Sequence, residues 1–339
     1  MRKVKYALFV MLMLACATLS ATTVRQVGMI DIPGNPGFDD LAFAKGMLVM
    51  THAGAGTVDI FDPAKRRLIA HITNMAQPRA IAVSEATGKI YIGNTGNNTI
   101  VILSTDGWKV EDVVPISGSP DSLLLTPGGK TLLVLHGAAE SVGAIDLAQK
   151  REVKTVKLDG RPEYMASDPG RELTYVTVQD SKSVVALDPQ LRIVKRYALL
   201  ASQPTGIAYD SKLDRIYVSV RYAVLALNAD TGKEVARVAA PAGVDQLWFD
   251  EPSKTLFAAS GRAILVMRAD GRLVASDEVP TDVRGHTLAF DAERNLIYMP
   301  GGREGRSKLL ILRHINSNIV PDSLNALRKS KEQAEAQLR

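Results

Sequence analysis

The sequence predicts an all-β fold, a seven-bladed β-propeller closed by its own N-terminal strand, on three observations. Short runs rich in β-branched and aromatic residues alternate with Gly, Asn, Ser and Thr turns, the signature of strands joined by tight loops. This pattern recurs at intervals of about 40 residues across almost the whole chain. The last repeat lacks one strand, and a spare strand stands at the opposite end of the chain.

The repeat is clearest over 78–103, PRAIAVSEATGKIYIGNTGNNTIVIL, with strands expected at 81–83, 89–94 and 99–103 and a fourth at 109–116. An apolar triplet opens each unit: Leu41-Ala42-Phe43, Ile81-Ala82-Val83, Leu123-Leu124-Leu125, Met165-Ala166-Ser167, Ile207-Ala208-Tyr209, Leu247-Trp248-Phe249 and Leu288-Ala289-Phe290. A second column, Val49, Tyr91, Leu133, Tyr175, Tyr217, Phe257 and Tyr298, follows in the same register. Four short antiparallel strands cannot bury both faces alone, so the units must stack on one another.

The ends test this reading. The seventh unit stops after its third strand, 309–314, whereas 23–32 (TVRQVGMIDI) resembles the fourth strands at 151–158 and 233–238. The N-terminal strand should therefore complete the last blade and leave no long open edge.

The 339 residues would suggest two domains by length, but a propeller grows as one body. Residues 1–21 read as a signal peptide: Arg2, Lys3 and Lys5, an apolar run over 6–17, then small residues. That predicts an exported, periplasmic protein with a propeller over 22–317 and a polar, helix-prone or disordered tail over 318–339. The formal charge of +5 falls to +2 when Arg2, Lys3 and Lys5 are removed, so no nucleic-acid partner is expected. The single cysteine, Cys16, lies inside the signal, and its acylation as a lipoprotein anchor is the alternative. No later segment is long and apolar enough to span a membrane.

The stretch IYIGNTGNNTIVIL resembles the repeat of the YVTN family of seven-bladed propellers, with weaker copies at 175–178 (YVTV) and 217–220 (YVSV). The resemblance covers 23–315, though only the second unit keeps the terminal Asn, at Asn94. It implies a propeller of the exported bacterial type, with no assigned chemistry. The Gly-His and Trp-Asp signatures of WD40 repeats are absent.

Catalytic motifs are missing: there is no Gly-x-Ser-x-Gly elbow, no His-Glu-x-x-His and no phosphate-binding loop ahead of a helix. Asp62, Asp146, Asp188 and Asn228 end third strands, where such side chains cap the turn backbone. Asn97-Asn98-Thr99 fits a glycosylation acceptor but is read as a turn.

One set of positions reads as functional. Two residues before each triplet stand Asp39, Arg79, Asp121, Glu163, Thr205, Asp245 and His286, which the repeat places in a ring at the channel mouth. The turns between second and third strands should add His52, Asn94 and His136, with Gln179 and Arg221 one residue further on. Imidazoles and carboxylates in one sector suit a divalent cation, but ligands from separate blades with Arg79 among them argue against a tight site. The expectation is no metal, no cofactor and no catalytic residue. The mouth would bind an unidentified protein, peptide or small polar ligand. The alternative is a lactonase-like or metal-assisted hydrolase with its site at the mouth.

Overall fold

The computed structural model describes residues 24–315; the expected signal peptide with Cys16 and the tail from 318 lie outside the described residues. It forms seven four-stranded antiparallel sheets arranged as a seven-bladed β-propeller, without helices among the described residues. Blades one to six occupy 38–72, 78–115, 122–157, 162–198, 207–239 and 247–280. Blade seven takes its inner three strands from 289–314 and its outermost from Val24–Ile32, which pairs antiparallel with Arg306–His314 from Val24 opposite His314 to Ile32 opposite Ser307. The ring is closed by the N-terminal strand, as the strand count requires.

A bulge recurs between the third and fourth strands of blades one to six, at Ile60/Phe61, Ile102/Leu103, Ala144/Ile145, Ala186/Leu187, Ala226/Leu227 and Val266/Met267. Such an extra residue increases local twist and turns the outer strand off the sheet plane. The N-terminal strand carries its own bulge between Gln26 and Gly28, so it copies the fourth strand it replaces.

The core lies between blades. Seven apolar clusters each join two neighbours, the last uniting Phe38, Leu41, Leu48, Met50 and Phe61 of blade one with Ile32, Tyr298, Leu309 and Ile311 of blade seven. The two sequence columns meet across the inner strand pair. The middle residue of each triplet faces the second-column residue: Ala82 opposite Tyr91, Ala166 opposite Tyr175, Ala208 opposite Tyr217 and Ala289 opposite Tyr298. Alanine there leaves space for a ring that the next blade covers, and Tyr175, Tyr217 and Tyr298 are among the largest fully buried side chains.

The turn residues behave as their chemistry requires. Asp62 Oδ1 accepts from the amides of Ala64 and Lys65, Asp146 Oδ1 from Ala148 and Gln149, Asp188 Oδ1 from Gln190 and Arg192, and Asn228 Oδ1 from Thr231. These side chains hold turns at the ends of third strands, far along each blade from the mouth.

Candidate functional site

Charged side chains reach the channel mouth because the innermost strands begin irregularly. In blade one the pairing skips from Phe38 to Leu41, in blade two from Pro78 to Ala80, and in blade four from Pro162 to Met165. Regular alternation would send neighbours such as Asp39 and Asp40 to opposite faces. The bulge suspends that rule, and Asp39, Asp40, Arg79, Glu163 and Tyr164 all line one cavity of about 100 Å³. Asp121, Arg161, Asp245 and His286 complete its wall.

Six of the seven ring positions expected from the repeat therefore meet around one cavity. Thr205 does not; its hydroxyl donates to Gln203 O at 3.2 Å and its carbonyl accepts from Thr177 Oγ1 at 2.6 Å.

The floor is a relay across blades. Asp40 Oδ1 accepts from the amide of Leu41 at 2.8 Å and from Gln246 Nε2 at 3.1 Å, and Oδ2 from the amide of Ile81 at 3.0 Å. Gln246 Oε1 in turn accepts from the Thr287 hydroxyl and from the amide of Leu288. Above it, Arg79 Nη1 lies 3.9 Å from Asp39, Arg161 Nε 3.0 Å from Glu163, and His286 Nδ1 2.8 Å from Asp245.

Burial raises the carboxyls here. It pushes Asp40 up to about 7, against the pull of the Ile81 and Leu41 amides. Burial likewise pushes Glu163 up to about 7, with Arg161 opposing and Asp245 and Asp121 adding to it. Asp39 is raised by the same cause, opposed by Arg79 and His286. The contact to Asp245 raises His286 against its own burial. The mouth thus holds two carboxyl groups that burial raises to about 7, Asp40 against neutral hydrogen-bond donors and Glu163 against the Arg161 guanidinium.

His52, Asn94 and His136 do not join them. They close second strands, but their side chains turn into the blade packing and are 0–2% exposed. His52 Nδ1 lies 2.8 Å from Asp59 Oδ2, its Nε2 lies 2.7 Å from Asn35 O, and Phe38 stacks on its ring. His71 contacts the other Asp59 oxygen. His136 Nε2 meets Glu152 Oε1 at 2.9 Å; burial pushes Glu152 up, yet the bonds from His136 and Ser117 outweigh it and hold the carboxyl below its ordinary value. A buried ionisable side chain needs such a partner, and here the partner rather than solvent sets its direction. Arg221 is exposed on its turn, over the Tyr222 ring and away from the cavity lining.

Ser307 Oγ lies 3.2 Å from His52 Nε2, so Ser307, His52 and Asp59 stand in the order of a hydrolytic triad. The serine hydroxyl donates to Gly34 O at 2.9 Å, and all three residues are 0–1% exposed. No substrate can reach this chain of bonds, which instead pins blade one to the closing strand pair of blade seven. Among the described residues no three His, Cys, Asp or Glu side chains gather in a geometry that would hold a metal ion.

No protein-family model matches the sequence, and no curated protein matches it. Among solved structures the chain is similar to one from Kuenenia stuttgartiensis hydrazine synthase, with a TM-score of 0.72 and 14% identity over 83% of this chain and 96% of that one. A likeness at that identity concerns the fold alone, and on that ground the chain shares the seven-bladed β-propeller fold with a known structure.

Proposed function

We propose that this is an exported, non-enzymatic propeller of the YVTN repeat type, which binds a protein, a peptide or a small polar ligand at the channel mouth. The observation that carries the reading is the mouth cavity itself: carboxyls, two guanidinium groups, an imidazole and a phenol face one small space. Such a set fixes the orientation of a polar ligand through charge-assisted hydrogen bonds. Asp39, Arg79, Asp121, Glu163, Asp245 and His286 make those contacts.

A thermal-shift screen of amino acids, short peptides and sugars tests it. A hit should lose its shift in Asp121→Ala and Asp245→Ala while those variants keep the unliganded Tm. Hits indifferent to both substitutions would place the ligand elsewhere. Export through residues 1–21 predicts mature protein in the periplasmic fraction without Met1, and palmitate labelling that depends on Cys16 would favour the anchored form.

One observation favours a second reading, a lactonase-like or metal-assisted hydrolase: Asp40 and Glu163 are tuned to about 7, where a carboxyl serves as general acid or base. Turnover in a lactone and ester panel that falls in Glu163→Gln, or one metal per chain lost in His286→Ala, would establish the enzyme instead.

A further inference from the structure

We propose that the same face carries a second site, a carboxylate-binding cleft between blades six and seven built on Arg262 and Arg284. It lies outside the mouth and stands independently of the reading above. The cleft measures about 590 Å³ and is walled by Arg262, Asp282, Arg284, Arg303 and Glu304. A second hollow of about 570 Å³ shares Arg262 and Arg284 and adds Glu278. In each the arginines outnumber the acids by one.

The arginines are not equivalent. Arg303 is committed, with Asp282 at 2.8 Å and Glu304 at 3.8 Å. The guanidinium groups of Arg262 and Arg284 have no ion-pair or hydrogen-bond partner among the described residues, although both border two concave surfaces. Arg262 sits on the turn between Thr255–Ser260 and Ala263–Arg268, and Arg284 on the link into blade seven's innermost strand.

The fold prepares Arg284 in particular. Blade seven's middle hairpin, Leu296–Arg303 and Arg306–His314, runs 8 and 9 residues, where the matching strands of other blades have 5 or 6. The extension raises a wall above the rim. The link crosses it by two backbone bonds, Arg284 N to Gly302 O at 2.8 Å and Gly302 N to Arg284 O at 2.9 Å. The crossing is so close that a Cβ on Gly301 would stand 2.1 Å from Arg284 O, and one on Gly285 2.2 Å from Pro300 O. The backbone beneath Arg284 is therefore held rigidly, while its guanidinium faces open space.

A guanidinium fork matches the two oxygens of a carboxylate or phosphate. The charge decides between them. Because both hollows share Arg262 and Arg284, three arginines face three acids across the pair, with Arg303 already engaged by Asp282 and Glu304. A monoanion adds one negative charge beside the two remaining guanidiniums, whereas a phosphate monoester approaches a dianion at neutral pH and would crowd nearly two against Glu278 and Glu304.

Fluorine NMR tests the inference on the full protein, with trifluoroacetate as the monoanionic probe and monofluorophosphate as the dianionic one. Trifluoroacetate should broaden saturably, about tenfold more weakly in Arg284→Gln and in Arg262→Gln, the loss expected for a charged hydrogen-bonding partner. The effect should vanish near 1 M salt, where the Debye length is about 3 Å. Arg79→Gln, at the mouth, should retain it, and all three variants should keep the parental Tm. Undiminished binding in both Arg262→Gln and Arg284→Gln would overturn the site, tighter binding of monofluorophosphate would overturn the carboxylate class, and loss in Arg79→Gln, which removes a guanidinium from the mouth, would move the anion there.

Discussion

Replacing Glu163 with Gln should stabilise the protein above neutral pH. Its side chain is 13% exposed and its carboxyl is pushed from an ordinary 4.5 up to about 7 by burial, despite Arg161 at 3.0 Å. Between those values the native state holds a proton that the unfolded chain has released, so stability falls as pH rises. The loss begins above the unfolded pKa and is complete once pH passes the folded one. At about 1.4 kcal/mol per unit, a rise of roughly 2.5 units amounts to an upper limit of ~3 kcal/mol. Gln keeps the shape without the charge, so Glu163→Gln should match the parent near pH 4.5 and exceed it at pH 8 by up to that amount, a gain of several degrees in Tm. Asp40, also raised to about 7, leaves a residual slope in the variant. Thermal melts across this range read the difference directly. A variant no more stable than the parent at pH 8, or one with an unchanged pH slope, would refute the account of Glu163 as a carboxyl kept neutral by burial.

Further outcomes follow from the closure and the packing. Deleting 24–32 should abolish cooperative melting while deleting 321–339 leaves Tm nearly unchanged; greater harm from the tail deletion would contradict the seal. Asp59→Ala strips two imidazoles of their shared buried hydrogen-bond acceptor and should cost about 3 kcal/mol, against about 1 kcal/mol for Ser307→Ala; equal costs in denaturant titrations would dismiss the pinning role of Asp59. Ala166→Leu forces a larger side chain against the buried Tyr175 ring and should cost roughly 1–3 kcal/mol by the same measurement, whereas a neutral result would mean the alanine column is not making room for the tyrosines.

The architecture was legible because a repeat reports itself many times over. A doubtful column in one blade, such as Val49 for Tyr91, is corrected by the other six, and the missing fourth strand could be found by counting. The ring positions were legible for the same reason. What escaped was whatever broke the period. Asp40 and Tyr164 stand one residue inside the ring column, where alternation assigns them to the opposite face, and only a bulge brings them to the cavity. A sequence signal existed for Asp40, since its counterparts Ala80, Ser122, Gly206 and Thr287 carry no charge. His52 and His136 depart in the other direction: a polar residue at a rim predicts contact with water, whereas Asp59 and Glu152 across the sheet make burial tolerable.

The seal on the ring also governs when the protein can become itself. Lys308 pairs with Asp31 across 277 residues of chain. Closing a loop of that length costs ~5 kcal/mol of chain entropy, a cost that falls when the intervening blades stack first and shorten the open span. Until then Val24–Ile32 waits unpaired, and the hairpin at 296–314 shows an open edge to any other chain. Folding should accordingly be slow, dominated by non-local contacts. A polypeptide cut short before 306 lacks the strand on which Val24–Ile32 docks, so the ring closes only in chains that carry both partners.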